Sequence, residues 1–454
     1  MPEEKVTEKN RAAYYKKNLQ KVKVLYEPAI LLEKDELHFS DSMVGEFVLA
    51  PFLVLFSAWV LQEAMKDGID RLYFLARDGY PAYIAAKRIS EAYDLKIDCR
   101  YLYCSRYALR VPMYSENQKE MLDYICRNGI DITTRKVLKR AGLDSAQTEA
   151  LVAESRDINK LDEKISNAEL QKLRKRLSDN PRFLKIVCNN SENSWPTLRT
   201  YFEQEGFLEK NAIGIVDSGW IGSTQKSICD ILKRMGKDME IKGYYWGLYD
   251  IPEGMDPQEY RGFYFEKKNR LRNKIFFSNC LIETIFSSTQ GTTVGYKIGK
   301  NGAEPILDGN SFNTHELTCI HTLLEKYTDN FINYNRKVSF SNLKTSRYVR
   351  LLASSLHRFM WNPTREESRI FGRLLFSDDL LDDHCKELAP VFTTRELTEN
   401  HFWHRVLATL KVEDRIVHES GWYEATVRRS TDRVLIHKLS YSAYRTLSYI
   451  KKSI

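Results

Sequence analysis

The sequence predicts an α/β fold, with a Rossmann-like and mostly parallel sheet, a helical insertion and a mainly helical C-terminal region. Residues 71–106 and 211–249 both alternate apolar, strand-like segments with helix-like ones, an order that favours parallel strand pairing. Residues 113–208 are rich in Lys, Glu, Asp, Asn and Leu and lack β-branched runs, as is typical of helices. The chain after about residue 315 is predicted to be mainly helical as well.

Length and composition set the scale of the protein. Its 454 residues, 43% of them apolar, suit two to three domains or one large α/β domain with an insertion. Changes in composition divide the chain into five regions: a charged N-terminal arm (1–41), the first part of the α/β domain (42–112), a helical insertion or cap (113–208), the second part of the α/β domain (209–312) and a helical C-terminal region with a basic tail (313–454).

The order of the helices and strands is predicted from the spacing of apolar residues and from the turn residues between them. Phe47 to Leu61 is an uncharged run of 15 residues, shorter than the roughly 20 that cross a bilayer, and a buried helix is predicted. A strand at 71–76 leads into a helix with Pro81 in its first turn, and a second strand occupies 96–106. In the second part we predict a strand at Ile213–Val216 followed by an amphipathic helix. Further strands are predicted at 241–249 and 261–265, the latter at a sheet edge.

Most of the net charge of +8 lies in the last 27 residues, which carry seven cations and one acid, Asp432. Tyr441, Tyr444, Leu447 and Ile450 recur there at helical spacing, so this tail either packs that face on the body or lies on an anionic membrane surface. No nucleic-acid-binding motif accompanies the charge, and no nucleic acid partner is expected. Eight cysteines without a C-x-x-C pair and the lack of a signal peptide predict a cytoplasmic protein, with a peripheral place at the inner membrane as an option.

The stretch VDSGWIGST (216–224) is the first candidate site. Asp217 stands at the carboxyl end of a predicted strand, where open α/β sheets bind ligands, and a helix N-terminus that suits a phosphate follows. A capped helix after a tight turn would use the same residue types. The candidate phosphate- or substrate-binding residues here are Ser218, Gly219, Trp220, Gly222, Ser223, Thr224 and Lys226.

A second candidate site, LARDGYP (75–81), has the same placement after a strand. Arg77 could hold a phosphate or carboxylate, beside Gly79 in the turn. Asp78 and Asp217 are the candidate catalytic residues, as acid/base, nucleophile or Mg²⁺ ligand. The alternative is that Asp78 caps the helix and Arg77 pairs with a nearby acid.

Two further positions could complete this site. Ser105 and Arg106 follow the second strand and would lie beside the other loops if the strands are neighbours, although Arg106 could equally form an exposed salt bridge. Glu283 interrupts an apolar helix, and a buried carboxylate needs a partner. Arg77 or Arg106 would serve, which would place Glu283 behind the ligand-binding residues, unless it faces solvent.

Several segments together resemble the C-terminal region of a bacterial family identified as predicted hydrolases of the HAD superfamily, associated with surface polysaccharide biosynthesis. They are RLYFLARDGYPAY, YLYCSRYALRVP, IGIVDSGWIGSTQKSI and LIETIFSSTQGTTVGY, within a resemblance that covers roughly residues 42–310. HAD phosphatases carry two aspartates as D-x-D after their first strand. Here Ala76 stands two positions before Asp78, and Gly219 two positions after Asp217. The resemblance therefore implies a fold and a pathway rather than phosphoaspartate chemistry.

A second resemblance concerns residues 217–224, which are similar to the phosphate loop of phosphoribosyltransferases, although Ser218 replaces the usual second acid. Three functions are accordingly predicted. The first is an enzyme that hydrolyses or transfers a phosphoryl group of a phosphorylated sugar or nucleotide-sugar, with Mg²⁺ as a possible cofactor. The second is a phosphoribosyltransferase-like sugar-phosphate transferase. The third is a non-catalytic partner of a glycosyltransferase, or of the inner membrane surface through the basic tail.

Overall fold

The computed structural model describes residues 2–32, 42–127, 132–153, 161–309, 312–377, 385–410 and 417–453. Its centre is a five-stranded sheet in which every pairing is parallel, with the order β2-β1-β3-β4-β5. The predicted α/β class with a parallel sheet is thus confirmed. The strands are β1 (Arg71–Leu75), β2 (Asp98–Leu102), β3 (Ala212–Trp220), β4 (Glu240–Leu248) and β5 (Tyr260–Phe265).

Two small antiparallel pairs lie outside this sheet. They are the hairpin of β6 (Thr293–Gly299) with β7 (Gly302–Leu307), and the short pair of β8 (Leu375–Phe376) with β9 (Lys386–Glu387). The sequence analysis predicted neither pair. β5 lies at the edge of the main sheet, as predicted for 261–265.

Helices make up most of the remaining described residues. The α/β domain is preceded and flanked by α1 (Pro2–Leu19), α2 (Lys23–Leu32), α3 (Ser42–Val44), a π-helical segment (Gly45–Leu49), α4 (Ala50–Lys66) and α5 (Tyr80–Ala92). The first part of the α/β domain ends with α6 (Arg106–Arg110). The insertion contains α7 (Gln118–Ile125), α8 (Thr134–Arg140), α9 (Ser145–Ala153), α10 (Asn167–Ser178) and α11 (Pro181–Gln204). The second part adds α12 (Ser223–Arg234), α13 (Leu271–Ile275) and α14 (Asn279–Ile285).

The C-terminal region is mainly helical, as predicted. Its helices are α15 (Thr314–Asn335), α16 (Thr345–Trp361), α17 (Arg365–Phe371), α18 (Thr394–Thr398), α19 (Phe402–Leu410), α20 (Tyr423–Ser430) and α21 (Val434–Ser453).

Apolar side chains cover both faces of the parallel sheet, as such sheets require. On one face, α4, α5 and α15 form the largest core, in which Phe56 stacks on Trp246 with ring centroids 4.5 Å apart. On the other face, Ile228 and Ile231 of α12 pack with Leu198 and Tyr201 of α11. The insertion adds a core of its own, built from α7 to α11. α5 and α12 therefore cover opposite faces of the sheet.

One helical stretch, Gly45–Lys66, is long and apolar enough to cross a membrane by length and composition, among the residues that the structure describes. However, 94% of its apolar window is buried inside the fold. Fourteen of the 17 residues of α4 are buried, and Phe56 and Trp59 contact aromatic side chains of the sheet. The prediction of a buried helix at Phe47–Leu61 is confirmed.

The third strand is longer than predicted. The sequence indicated a short strand at Ile213–Val216 with Asp217 at its carboxyl end, whereas β3 continues to Trp220 and pairs Gly219 with Gly247 of β4. Gly219 makes this possible, because its φ of +103° is accessible to glycine and a Cβ there would lie 2.8 Å from the Gly247 carbonyl oxygen. The polar residues 217–220 therefore belong to the strand itself and are held rigidly.

Candidate active site

A cleft of about 400 Å³ opens at the carboxyl ends of β1 and β3. In the strand order 2-1-3-4-5 the connections turn in opposite directions on either side of these two strands, which is where doubly wound sheets bind ligands. All three predicted strand-end segments reach this cleft. The predicted residues that line it are Arg77, Asp78, Ser105, Arg106, Asp217, Ser218, Gly219, Trp220, Ser223, Thr224 and Glu283.

The two candidate catalytic aspartates are joined through one serine. Ser218 is buried, and its hydroxyl donates to Oδ2 of Asp78 over 2.9 Å. The backbone N–H of the same residue donates to Oδ1 of Asp217 over 2.8 Å. Because Ser218 lies on β3 and Asp78 follows β1, this contact fixes the two strand ends to each other. The two carboxylates are thus held on neighbouring strands, in one half-buried wall of the cleft.

A third carboxylate, Glu283 of α14, faces the aspartates. Oε1 of Glu283 accepts a hydrogen bond from the indole Nε1–H of Trp220. The indole ring is in turn held among Phe277, Tyr249 and Phe265. The sequence analysis correctly expected a partner for Glu283, but the hydrogen-bond donor is Trp220 rather than Arg77 or Arg106. Glu283 also lines the cleft directly and does not lie behind it.

These three carboxyl groups hold their protons more tightly than free acids. Burial, together with the nearby charge of Asp78, raises the pKa of Asp217 to about 7. Burial and the charge of Asp78 also raise the pKa of Glu283, to about 8. The pKa of Asp78 itself is raised by burial, while Arg77 opposes the shift. Groups that titrate near neutral pH in a cleft are suited to proton transfer.

Cations without fixed partners lie around these acids. Among the described residues, the side chains of Arg77, Arg106 and Arg127 make neither a hydrogen bond nor an ion pair within the chain, although all three line the cleft. Arg106 and Arg127 are exposed and Arg77 is half-buried. A guanidinium group offers five N–H donors in a plane, which matches phosphate and carboxylate oxygens. The sequence left open that Arg77 or Arg106 forms a salt bridge within the chain. Among the described residues, neither side chain does so.

The N-terminus of α12 contributes neutral donors to the same cleft. Its first residue is preceded by Gly222, which adopts the left-handed conformation with φ of +68° and provides no side-chain cap. The helix therefore begins with free backbone N–H groups. Ser223 and Thr224 are half-buried beside these groups and line the cleft. The capped-helix alternative for this segment does not hold, since a serine or threonine cap is lacking.

Three predicted site residues lie outside the cleft lining. Lys226 points away on α12, where its Nζ lies 2.7 Å from Asp230 and 3.1 Å from Glu120. Gly79 and Gly222 do not contact the cleft, and packing leaves no room for a side chain at either position. A Cβ on Gly79 would lie 2.5 Å from the Leu75 carbonyl oxygen, and one on Gly222 would lie 2.5 Å from the ring of Tyr260.

Ser105 lines the cleft, but its hydroxyl is already engaged within the chain. It donates to the Thr293 carbonyl oxygen over 2.6 Å and accepts from the Ala108 N–H, as the cap of α6. Ser105 therefore positions Arg106 at the start of α6.

Sequence reasoning missed several lining residues, of which Arg127 and Asp308 carry charge. Arg127 follows α7 in the helical insertion, and no strand end marks it. Asp308 follows the β6–β7 hairpin, where its Oδ1 accepts from the Thr292 N–H over 2.9 Å. The run SSTQGTT (287–293), which supplies further lining residues, is rich in turn-forming types and was a usable signal.

A magnesium ion was predicted at Asp78 and Asp217. The described residues contain no group of three or more His, Cys, Asp or Glu side chains arranged to hold a metal. Two carboxylates on neighbouring strands nevertheless fit the usual way in which Mg²⁺ binds, through one or two protein carboxylates together with phosphate oxygens and water. The donor set suits an ion that arrives with a phosphate rather than one held by the protein alone.

No protein-family model matches the chain, and no curated protein matches it either.

Proposed function

We propose that this protein is an α/β enzyme that hydrolyses or transfers a phosphoryl group of a phosphorylated sugar or nucleotide-sugar. The single observation behind this proposal is the composition of the cleft. Acids that titrate near neutral pH face guanidinium groups that the described chain leaves without partners. Following the resemblance, we place the reaction in the cytoplasm, in the synthesis of bacterial surface polysaccharide.

Each group has a role in the proposed reaction. The arginines and the N-terminus of α12 bind the phosphate oxygens and stabilise the negative charge that develops on them. Asp217 accepts the proton of the attacking water or hydroxyl, because its pKa of about 7 leaves a large share of it ionised at neutral pH. Glu283, with a pKa of about 8, is mostly protonated there and donates to the leaving oxygen.

Asp78 has a different role, because it accepts the hydroxyl of Ser218 and so holds β1 and β3 in register at the cleft. The carboxylates of Asp78 and Asp217 would hold Mg²⁺ together with phosphate oxygens. The ion would supply further charge neutralisation.

The test is a screen of sugar phosphates and nucleotide-sugars for release or transfer of phosphate, with and without Mg²⁺. On the substrate found, Asp217→Asn should lower kcat by about 10²-fold or more, since it removes the proton acceptor at nearly constant volume. Arg77→Met and Arg106→Met should each raise KM by about tenfold.

The matched controls are Asp162→Asn and Arg199→Met, which change the same residue types outside the cleft lining. The proposal is wrong if Asp217→Asn and Asp78→Asn both retain the rate of the unaltered protein. Equal losses in the controls would also contradict it.

The second candidate is a phosphoribosyltransferase-like transferase. The observation that favours it is the order of groups along β3 and α12, in which Asp217 precedes a helix N-terminus without a side-chain cap. Such an enzyme would bind phosphoribosyl pyrophosphate, whose ribose hydroxyls would reach Asp217. A thermal shift with this compound that disappears in Asp217→Asn would support the candidate. No binding at millimolar concentration would exclude it.

The third candidate is a non-catalytic partner of a glycosyltransferase or of the membrane surface. The observation in its favour is an outward apolar stripe on α21, formed by Leu435, Ile436, Leu439, Leu447 and Ile450, each at least 42% exposed. Replacing Leu435 and Leu439 by Ser tests it without removing the inward contacts of the helix. Unchanged sedimentation with anionic vesicles and unchanged co-purification with the glycosyltransferase would count against this candidate.

A further inference from the structure

A second cavity, of about 470 Å³, lies next to the cleft and shares two helices with it. On α6, Arg106 lines the cleft, whereas Arg110 lines the second cavity. On α12, Ser223 lines the cleft and Ser227 lines the second cavity. Residues four positions apart lie on one face of a helix, roughly 6 Å apart along its axis. The two cavities are therefore close enough for one small ligand to occupy both.

Arg110 is the unusual residue of this second cavity. Its guanidinium group lies 4.0 Å from the centroid of the Tyr124 ring. Within the described part of the chain it has neither a hydrogen bond nor an ion pair, although it is half-buried. By contrast, Arg234 and Lys226, which line the same cavity, both pair with carboxylates.

The cations of the cleft also act on Arg110. Its pKa is lowered mainly by burial; Tyr124 and Tyr114 oppose this shift, and the charges of Arg106 and Arg127 add to it. A half-buried guanidinium group that has no ion pair of its own is costly unless an anion compensates for it. An anionic group placed between the two cavities would be near Arg106, Arg110 and Arg127 together.

The other residues that line the second cavity indicate which chemical group is bonded to that anionic group. Leu109, Met113 and Met121 give the cavity an apolar wall, and Tyr124 with Arg110 forms a flat stack. Carboxylates of Glu120 and Asp230 stand at the other side. A flat, apolar ring with hydroxyl groups attached matches these surfaces, because guanidinium groups stack on aromatic rings and carboxylates accept from sugar hydroxyls. An acyl chain would offer the Arg110 guanidinium no hydrogen-bond acceptor.

We propose that the second cavity binds the nucleoside of a nucleoside-diphosphate-linked substrate whose diphosphate lies in the cleft, with Arg110 as the residue that joins the two sites. This inference rests on the proposed function, and it selects nucleotide-sugars from the substrate classes given there. Arg110 is a specificity-determining residue and is remote from the bond that breaks.

The test is calorimetric binding of uridine, guanosine and cytidine diphosphates, with inorganic pyrophosphate as the probe that fills the cleft alone. The best-bound nucleoside diphosphate should bind at least about tenfold more tightly than pyrophosphate. Arg110→Met should weaken it by about tenfold and leave pyrophosphate within about twofold, with Arg110→Lys intermediate. Arg199→Met, an exposed arginine of α11, is the control.

The outcomes separate this inference from the proposed function. No preference for any nucleoside diphosphate over pyrophosphate, or equal losses of both ligands in Arg110→Met, would overturn the nucleoside site. Pyrophosphate binding that is absent, or unaffected by Arg77→Met and Arg106→Met, would overturn the phosphate cleft. A melting temperature of Arg110→Met close to that of the unaltered protein would show that any loss is local.

Discussion

Arginines occur in two parts of this molecule with opposite surroundings. Arg77, Arg106 and Arg127 border the cleft, and the described residues offer them no hydrogen bond or ion pair. In the C-terminal region several guanidinium groups are instead engaged with oxygen atoms of the chain. Arg445, for example, donates to the carbonyl oxygens of Lys274 and Phe277 over 3.0 and 2.6 Å, and Arg429 donates to the Gly372 carbonyl oxygen and to Glu387.

The difference separates structural cations from cations available to a ligand. Most of the net positive charge lies in the tail, yet Arg428, Arg429, Lys438 and Arg445 are directed at the body of the protein. They bind backbone carbonyl and side-chain oxygens there, which is what a cation with several donors does when buried. The cleft arginines contribute less to the charge count, but their donors remain unused within the described part of the chain. Counting charges along a sequence does not distinguish the two groups.

The tail helix also differs from its predicted orientation. Tyr441 packs on Tyr423 with ring centroids 4.2 Å apart, as expected for an aromatic face directed at the body. Leu447 and Ile450 were predicted on that same face, but they are 49% and 42% exposed. The cause is Arg445, whose contacts with α13 fix the rotation of α21. The side chains of Lys451 and Lys452 lie outside the described residues.

The largest predicted effect is a difference in the free energy of unfolding between variants of the two groups of arginines. Arg445→Met removes two hydrogen bonds to carbonyl oxygens and the cation 3.7 Å from the buried Glu424. Leaving a buried carboxylate without its cation should lower the free energy of unfolding by about 3 kcal/mol. Arg106→Met should change it by less than about 0.5 kcal/mol. Urea denaturation followed by circular dichroism measures both, and a comparable loss in Arg106→Met would remove the distinction.

The second predicted effect is a pH dependence of stability, which arises from the acids beside the cleft arginines. The pKa of Asp217 is raised in the folded state to about 7, so the folded state binds its proton more tightly than the unfolded state does. The resulting stabilisation is complete below the ordinary carboxyl range near pH 4 and is lost as the pH rises through 7. Asp78, with a raised pKa, contributes in the same direction.

Asp217→Asn should therefore be more stable than the unaltered protein by about 2 kcal/mol at pH 8 and about equal to it at pH 4. Unfolding free energies measured at both pH values test this expectation, with Asp230→Asn as the exposed-pair control. A variant that is equally stable or less stable at pH 8 would show that Asp217 is stabilised as an anion, for example by a fixed cation.

The parts of the site that the sequence predicted share one physical origin. Carboxyl ends of neighbouring parallel strands meet at one edge, so the residues after β1 and β2 and at the end of β3 had to converge once the sheet was recognised. Arg127 and Asp308 could not be predicted in this way, because the packing of the insertion and of the hairpin places them. The extension of β3 was missed because a glycine with positive φ inside a strand has no simple sequence signature.

Lys226 is one of the three predicted site residues that lie outside the cleft lining. Its true position could have been predicted from the sequence. Its partner Asp230 lies four positions later on the same helix, a spacing at which opposite charges pair. Glu120 of α7 completes the pairing from the insertion. Lys226 thus resembles the engaged C-terminal cations more than the cleft arginines, although it lies only two residues after Thr224.

The smallest effect follows from this placement. Lys226→Met should lower the free energy of unfolding by no more than about 1 kcal/mol, because the half-buried Lys226 pairs with carboxylates that remain accessible to solvent, and such pairs contribute little. Its dissociation constant for pyrophosphate should stay within about twofold of the original value, since the ammonium group is directed away from the cleft. Calorimetry beside Arg106→Met measures the contrast directly. A tenfold weakening in Lys226→Met would mean that the ammonium group leaves Asp230 and Glu120 for the ligand, and that an ion pair within the chain does not by itself identify a structural cation.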